Sequence, residues 1–266
     1  MTGFSGDLPL HQLQPLGRFS DRAKDYARFR PTYPTAAIAA ILDGLGNPTD
    51  LIVADVGAGT GISSRLLAEH GLQVWAIEPN ESMQQVADPH PRVTFLTGTA
   101  EQTGLLDQSV DLVTCFQAFH WFDPAQALPE LRRILKPSGR LAVIWNDRDR
   151  SAPFTQSYSQ IIQQVSGDHP AEHRMVAEKP LLDSAEFGNI QHLTFSHQQA
   201  LDWDGLMGRA NSSSYIPKDP QSQQQLITAL EALYTQWVDA QGLVYLTYCT
   251  QVFLGESTKT NRRPPD

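Results

Sequence analysis

The stretch from Asp50 to Trp145 constrains the fold more than any other, because apolar runs of strand length alternate there with helical stripes. LIVADV is apolar almost without interruption, as a strand buried on both faces of a sheet requires. Ile62, Leu66 and Leu67 then give a helical stripe through ISSRLLAEHG. Strands follow at QVWAIE, VTFLTG, VDLVTCF and RLAVIW, with helices at ESMQQVA and QALPELRRIL. This alternation predicts an α/β fold with right-handed crossovers between parallel strands.

Less regular segments flank this block. On the amino side FSDRAKDYARF reads as a helix with Ser20 as N-cap, stopped by Pro31 and Pro34, and a second helix is expected from about Thr35 to Leu42. Beyond Trp145 the pattern predicts a helix around Phe154 to Val165, a strand near IQHLTFSHQQ and a helix near DWDGLMGRA. A long amphipathic helix then carries Leu226, Leu230, Leu233, Tyr234 and Trp237, and the last strand is LVYLTYCTQVFLG. Residues 1–17 and 256–266 read as a flexible leader and tail around one domain spanning 18–255.

Composition excludes several function classes. A formal charge of -9 argues against a nucleic-acid partner, which needs a basic face. No apolar run approaches the roughly 20 residues of a membrane helix, and the opening MTGFSGDLPLHQLQPLG lacks a basic segment before an apolar core, so a cytoplasmic protein is expected. Cys115 and Cys249 show no metal-ligand spacing and read as inert core thiols. His169 and His173 are four apart, but Pro170 interrupts the turn and no third ligand is near in sequence, so no metal is expected.

The loop VADVGAGTG joins the first strand to the first helix, the ligand side of an open α/β sheet. A dinucleotide fingerprint, G-x-G-x-x-G, would place its third glycine at 62, where this chain has Ile62; the glycine is at 61 instead. The resulting G-x-G-x-G suits an uncharged aminoacyl thioether better than a diphosphate. Glu78 ends the second strand 23 residues after Asp55, where an acid is expected to bind ribose hydroxyls.

The set VADVGAGTG, AIEPNESM, FLTGTAEQTGLLDQSVDLVTCFQAFHWFD and LRRILKPSGRLAVIW resembles the class I S-adenosylmethionine-dependent methyltransferases, of the small-molecule group called methyltransferase type 11. FSDRAKDYARFRPTYP and the HWF tripeptide resemble its trans-aconitate methyltransferase-like subgroup. The resemblance implies a Rossmann-like seven-stranded sheet of order 3-2-1-4-5-7-6 with the last strand antiparallel. It further implies a cofactor-binding core at about 35–147 and lid and substrate elements at about 18–34 and 148–240.

S-adenosylmethionine is then the implied cofactor, leaving as S-adenosylhomocysteine, with no metal. Gly57, Ala58 and Gly59 would face its methionine part, with Asp55 near the amino group. Glu78 would accept from both ribose hydroxyls, with Pro79 and Met83 near the sugar and adenine. Ala100 and Glu101 would reach the adenine edge, beside Thr99, where related proteins often carry Asp. Tyr26 and Gln117 complete the expected cofactor contacts.

Gln117 to Phe122 follow the fourth strand, where the methyl should point, and His120 is the candidate general base. A carboxylate acceptor would need no base, because it is its own nucleophile and positioning could suffice. Arg30, Tyr33, Trp121, Arg209 and Tyr215 are expected at the acceptor, below the polar run Asn211 to Ser214. Aromatic walls with arginine forks suit an acidic or phenolic small molecule, held by a monomer or homodimer without nucleic acid or membrane. The alternatives are an NAD-dependent oxidoreductase, against which Ile62 argues, and a non-catalytic module that binds the nucleoside.

Overall fold

The computed structural model describes residues 22–167 and 178–257; Ser20, His169, His173 and the expected leader lie outside them. Nine α-helices and seven strands occur among these residues, in close agreement with the predicted series. The amino-terminal helices are α1 (Ala23–Phe29) and α2 (Thr35–Leu42). The alternating block is β1 (Ile52–Val56), α3 (Ile62–Glu69), β2 (Gln73–Ile77), α4 (Glu81–Gln85), β3 (Val93–Leu96), β4 (Val110–Phe116), α5 (Pro124–Ile134) and β5 (Leu135–Arg148). Then follow α6 (Pro153–Ser166), α7 (Lys179–Leu182), β6 (Phe187–Leu201), α8 (Trp203–Asn211), α9 (Pro220–Trp237) and β7 (Val244–Ser257).

The strands form one sheet of order β3-β2-β1-β4-β5-β7-β6. β7 runs antiparallel to both of its neighbours, while β1 to β5 pair in parallel. Apolar side chains alternate between the two faces, which is why the central strands read as continuous apolar runs. Val113 and Cys115 of β4, and Val143 and Trp145 of β5, join one core with α5; Leu112 and Ile144 join the other with α2 and α3. A third core unites α6, α8 and α9 with Val244, Leu246 and Tyr248 of β7.

Three local differences from the sequence reading have physical causes. β5 starts at Leu135, five residues before the expected RLAVIW, because Leu135 pairs with Val110 ahead of a register shift that brings Arg140 opposite Leu112. Trp237 lies at the rim of the third core, 40% exposed, with its ring edge on Phe154. Cys115 is buried, but Cys249 is only half-buried, because it occupies an outward position of the alternating β7. Both thiols are free; Cys115 pairs with Val143 and that residue with Phe253, four positions from Cys249, so a whole strand separates them.

The reversal of β7 matters for the site. It sets Tyr248 in register with Arg148, so the amino end of β7 joins the carboxyl ends of β1, β4 and β5. α8, which follows β6, lies at the same edge, and α1 packs against it.

Candidate functional site

The loop after β1 is held from both sides. The amides of Gly57 and Ala58 both donate to the Ile77 carbonyl, at 2.9 and 3.1 Å. Gly57, Gly59 and Gly61 have φ of 72°, 58° and 75°, the left-handed region that glycine enters without strain. A Cβ on Gly57 would stand 2.5 Å from that of Ala118, so the loop also needs glycine for space.

Glu78, 8% exposed, stands beside this loop. One carboxylate oxygen accepts from Gly59 N at 2.8 Å and the other from Asn80 N at 2.9 Å. Burial raises its pKa, and the bonds from Asn80 and Gly59 pull it back. Each oxygen keeps a further acceptor site. Glu78 lines a cavity of about 610 Å³ together with Pro79, Met83, Thr99, Ala100 and Glu101. Glu101 is partly committed, since its Oε1 accepts from Asp123 N at 2.9 Å. Phe122 also lines this cavity.

A second cavity of about 410 Å³ adjoins the first. Tyr26, Gly57, Phe116, Gln117 and Trp121 line both, so this is where the two meet. Gln117 has φ of 54°, an uncommon conformation for a residue with a side chain, and its Nε2 donates to Asn146 O at 3.2 Å. Arg30, Tyr33, His120, Arg209 and Tyr215 line the second cavity, as does Ala58. The expected acceptor residues, from both halves of the chain, are therefore brought together.

Two expected roles do not match the geometry. Asp55 is fully buried and lines neither cavity; its carboxylate accepts from Ser63 Oγ (2.7 Å), Ser64 Oγ (2.6 Å) and Thr114 Oγ1 (2.9 Å). The side chain ties β1 to α3 and β4, and its carboxylate is engaged by these three hydroxyls. His120 accepts at Nδ1 from Trp145 Nε1, at 3.1 Å. Indole nitrogen is only a donor, so the neutral ring carries its proton at Nε2 and its one lone pair is taken. That is a hydrogen-bond donor's geometry, not a general base's.

The sequence reading missed Asn146, Asp147, Arg148 and Arg150, which line the second cavity from the end of β5. The signal was present in NDRDR at the carboxyl end of a parallel strand, the ligand edge of such sheets. Asn146 is fixed by Thr250 Oγ1, which donates to its Oδ1 at 2.6 Å, and its Nδ2 donates to Thr32 O at 2.9 Å. Among the described residues no cluster of three His, Cys, Asp or Glu could hold a metal ion, and no helix is long and apolar enough to cross a membrane.

Comparison with known proteins gives the family. Residues 54–143 match the family described as methyltransferase domain. An uncharacterized methyltransferase-like protein of Schizosaccharomyces pombe is 33% identical over 218 residues, 80% of this chain and 84% of its own. An uncharacterized methyltransferase of Mycobacterium tuberculosis is 33% identical over 243 residues, 89% of this chain and 95% of its own. The chain belongs to the class I S-adenosylmethionine-dependent methyltransferases. A methyltransferase structure from Anaeromyxobacter dehalogenans shares the fold of this methyltransferase, with a TM-score of 0.65 and 24% identity, over 86% of this chain and 98% of the other. These likenesses carry the family and not the trans-aconitate methyltransferase-like subgroup. The residues of the methyltransferase's larger cavity fit the cofactor: Gly59 lines it where a Cβ would sit 3.4 Å from Met83 Cε, and Glu78 offers acceptor sites at its wall.

Proposed function

We propose that the protein transfers the methyl group of S-adenosylmethionine to a small molecule held in the second cavity. The meeting of the two cavities at Tyr26, Gly57, Gln117 and Trp121 supports this most directly, since a donor in one and an acceptor in the other would touch only there. The volume of about 410 Å³ suits a small molecule. When bound, the cofactor supplies a methyl group already activated on a sulfonium.

The chain's own residues would bind and orient. In this reading Glu78 accepts from the ribose hydroxyls, Pro79 and Met83 pack on the sugar and base, and Ala100 with Thr99 and Glu101 edges the adenine. Gly57, Ala58 and Gly59 leave room for the methionine part, and Asp55 acts at one remove by holding Ser63 and Ser64 at the start of α3. Gln117 and Trp121 orient the reacting groups, Tyr26 covers them, and His120 donates from Nε2. Positioning and exclusion of water then supply the catalysis.

Thermal unfolding with added ligand tests this. At 100 times its dissociation constant S-adenosylhomocysteine adds about 2.7 kcal/mol, a rise in Tm of roughly 5–10 °C for a chain of this size. NAD is expected to leave Tm unchanged. Stabilisation by NAD instead would assign the large cavity to a dinucleotide. Incubation with labelled S-adenosylmethionine and a small-molecule extract should yield a labelled product; binding without any product would favour the non-catalytic module.

A further inference from the structure

Arg30 and Arg209 come from opposite ends of the sequence, one just after α1 and the other in α8, and meet on the same loop. Arg30 Nη2 donates to Ser212 O at 3.0 Å, and Arg209 Nη1 donates to Ser213 Oγ at 3.3 Å. Arg22 anchors that loop from below, donating to the carbonyls of Asn211 and Ile216 at 3.0 and 2.6 Å. Both cavity-lining guanidiniums are thus placed by a braced segment of chain.

Neither has a carboxylate partner among the described residues. Arg209, 6% exposed, gives its Nε to Tyr248 Oη at 3.1 Å. Arg30 lies over the Tyr26 ring, 4.6 Å from its centroid, and its buried Nε has no hydrogen-bond partner. The surrounding phenols are not counter-ions at neutral pH: burial holds Tyr33 well above its ordinary pKa and pushes Tyr158 up to about 12. Burial and the neighbouring Arg209 lower the pKa of Arg30, whereas for Arg209 burial is outweighed by Tyr248, Tyr158 and Tyr215 and its pKa is raised.

The imbalance extends around the cavity. Its described lining carries four guanidiniums, those of Arg30, Arg148, Arg150 and Arg209, against the single carboxylate of Asp147. This occurs in a chain with 29 acidic and 20 basic residues. A buried guanidinium without an anion is costly, so Arg209, which has no carboxylate partner among the described residues, calls for a ligand that supplies one. The donor cannot do so alone: its one carboxylate is offset by its own ammonium and sulfonium, leaving it net positive.

We infer that Arg30 and Arg209 form an oxyanion subsite, and that the methyl acceptor carries a carboxylate or phosphate group bound there. This rests on the second cavity being the acceptor's place, as proposed above. An arginine fork matches such groups with two parallel hydrogen bonds, which a phenol or a neutral amide cannot exploit. The subsite selects acids among the acceptors the cavity could otherwise admit.

The test uses the full chain saturated with S-adenosylhomocysteine and follows Tm while sodium phosphate, succinate, benzoate or neutral succinamide is added at constant ionic strength. At least one of the anions should raise Tm saturably, and succinamide should not. Preference for phosphate or for the carboxylates tells which oxyanion the subsite takes. In Arg209→Gln the affinity for that anion should fall about tenfold or more, the loss of a charge-assisted bond, while Arg209→Lys retains part of it. Affinity for S-adenosylhomocysteine, measured by calorimetry on the same variants, should stay within about twofold and shows that they are folded. No response to any anion in the wild type overturns the inference. So does a loss confined to S-adenosylhomocysteine, which would assign the pair to the donor's carboxylate. Failure of S-adenosylhomocysteine to bind the wild type would instead sink the proposed function, a result read before any anion is added.

Discussion

Trp145 Nε1 donates to His120 Nδ1 across 3.1 Å, joining a fully buried indole of β5 to an imidazole at the wall of the second cavity. Because the bond consumes the lone pair of the neutral ring, His120 should be the Nε2–H tautomer, which ¹⁵N-correlated NMR of the imidazole reads directly. Kinetics separates the roles by size. Loss of one donated hydrogen bond is worth about 0.5–1.5 kcal/mol, roughly 2- to 12-fold in rate, whereas loss of a general base is worth about 10²–10⁴-fold. His120→Ala is expected in the lower range with a cognate acceptor, and His120→Gln, which keeps an N–H donor, should recover most of it. A thousandfold loss in both would restore the general base.

Glu78 organises the loop and also stands at the cavity wall, so its removal should be felt twice. Glu78→Ala strips the 2.8 Å anchor from Gly59 N as well as the acceptors proposed for the ribose. Charge-assisted bonds of about 1.5–3 kcal/mol each, not fully additive, predict a loss of roughly 2–4 kcal/mol in S-adenosylhomocysteine binding. That is about 30- to 1000-fold in dissociation constant by calorimetry, with a native circular dichroism spectrum. Unchanged affinity would falsify the assignment.

How much of this was legible in the sequence differs from residue to residue. Gly57, Gly59 and Gly61 announced themselves, because a left-handed backbone between a strand and a helix is a demand that sequence expresses openly. The alternation of apolar runs gave the parallel strands, and the resemblance supplied the order and the reversed β7. The direction of Asp55 was hidden, since a strand buried on both faces leaves no polar alternation to show which side an acid takes. Ser63 and Ser64, which claim its carboxylate, look in sequence like ordinary first-turn residues of α3. Arg148 and Arg150 were legible only through their place at the carboxyl end of a parallel strand, since a charged stretch by itself reads as solvated. Gln117 gave no sign of its positive φ, because residues other than glycine enter that region only where tertiary structure compels them.

Gly57 should tolerate no side chain. Gly57→Ala meets both the strain of φ 72° and a Cβ contact of 2.5 Å with Ala118, with Phe122 3.3 Å away. Strain of about 1 kcal/mol and overpacking of about 1–3 kcal/mol predict a total near 2–4 kcal/mol by urea denaturation. Gly46→Ala is the matched control, since φ there is 102° but nothing lies within 4 Å of the added Cβ. It should lose only the backbone part, about 1 kcal/mol. Equal losses in the two variants would mean that the close approach to Ala118 relaxes freely.

Asp55 gives the fold an unusual response to acid. Burial raises its pKa above the ordinary 3.8, and the hydroxyls of Ser64, Ser63 and Thr114 only partly oppose this. A carboxyl whose folded-state pKa lies above the unfolded one holds its proton more tightly when folded. Its contribution to stability is therefore full below pH 3.8 and is lost as pH rises through the folded-state value. Glu130 behaves oppositely: burial raises its pKa, but bonds from Arg133 and Thr103 outweigh that and bring it down to about 2, so its contribution is present above 4.5 and is lost only toward that lower value. Between pH 7 and about 4.5 Glu130 thus changes little. Glu78, raised by burial like Asp55, also feels the Asp55 charge and would not cancel, so the comparison is made in a Glu78→Gln background. Urea denaturation of that background with and without Asp55→Asn, at both pH values, isolates the Asp55 effect. The chain that keeps Asp55 should gain stability relative to the Asp55→Asn chain on acidification, because the side-chain amide cannot take up a proton. A relative loss would mean that the three hydroxyl bonds hold the carboxylate more strongly than burial opposes it, reversing the direction of the shift.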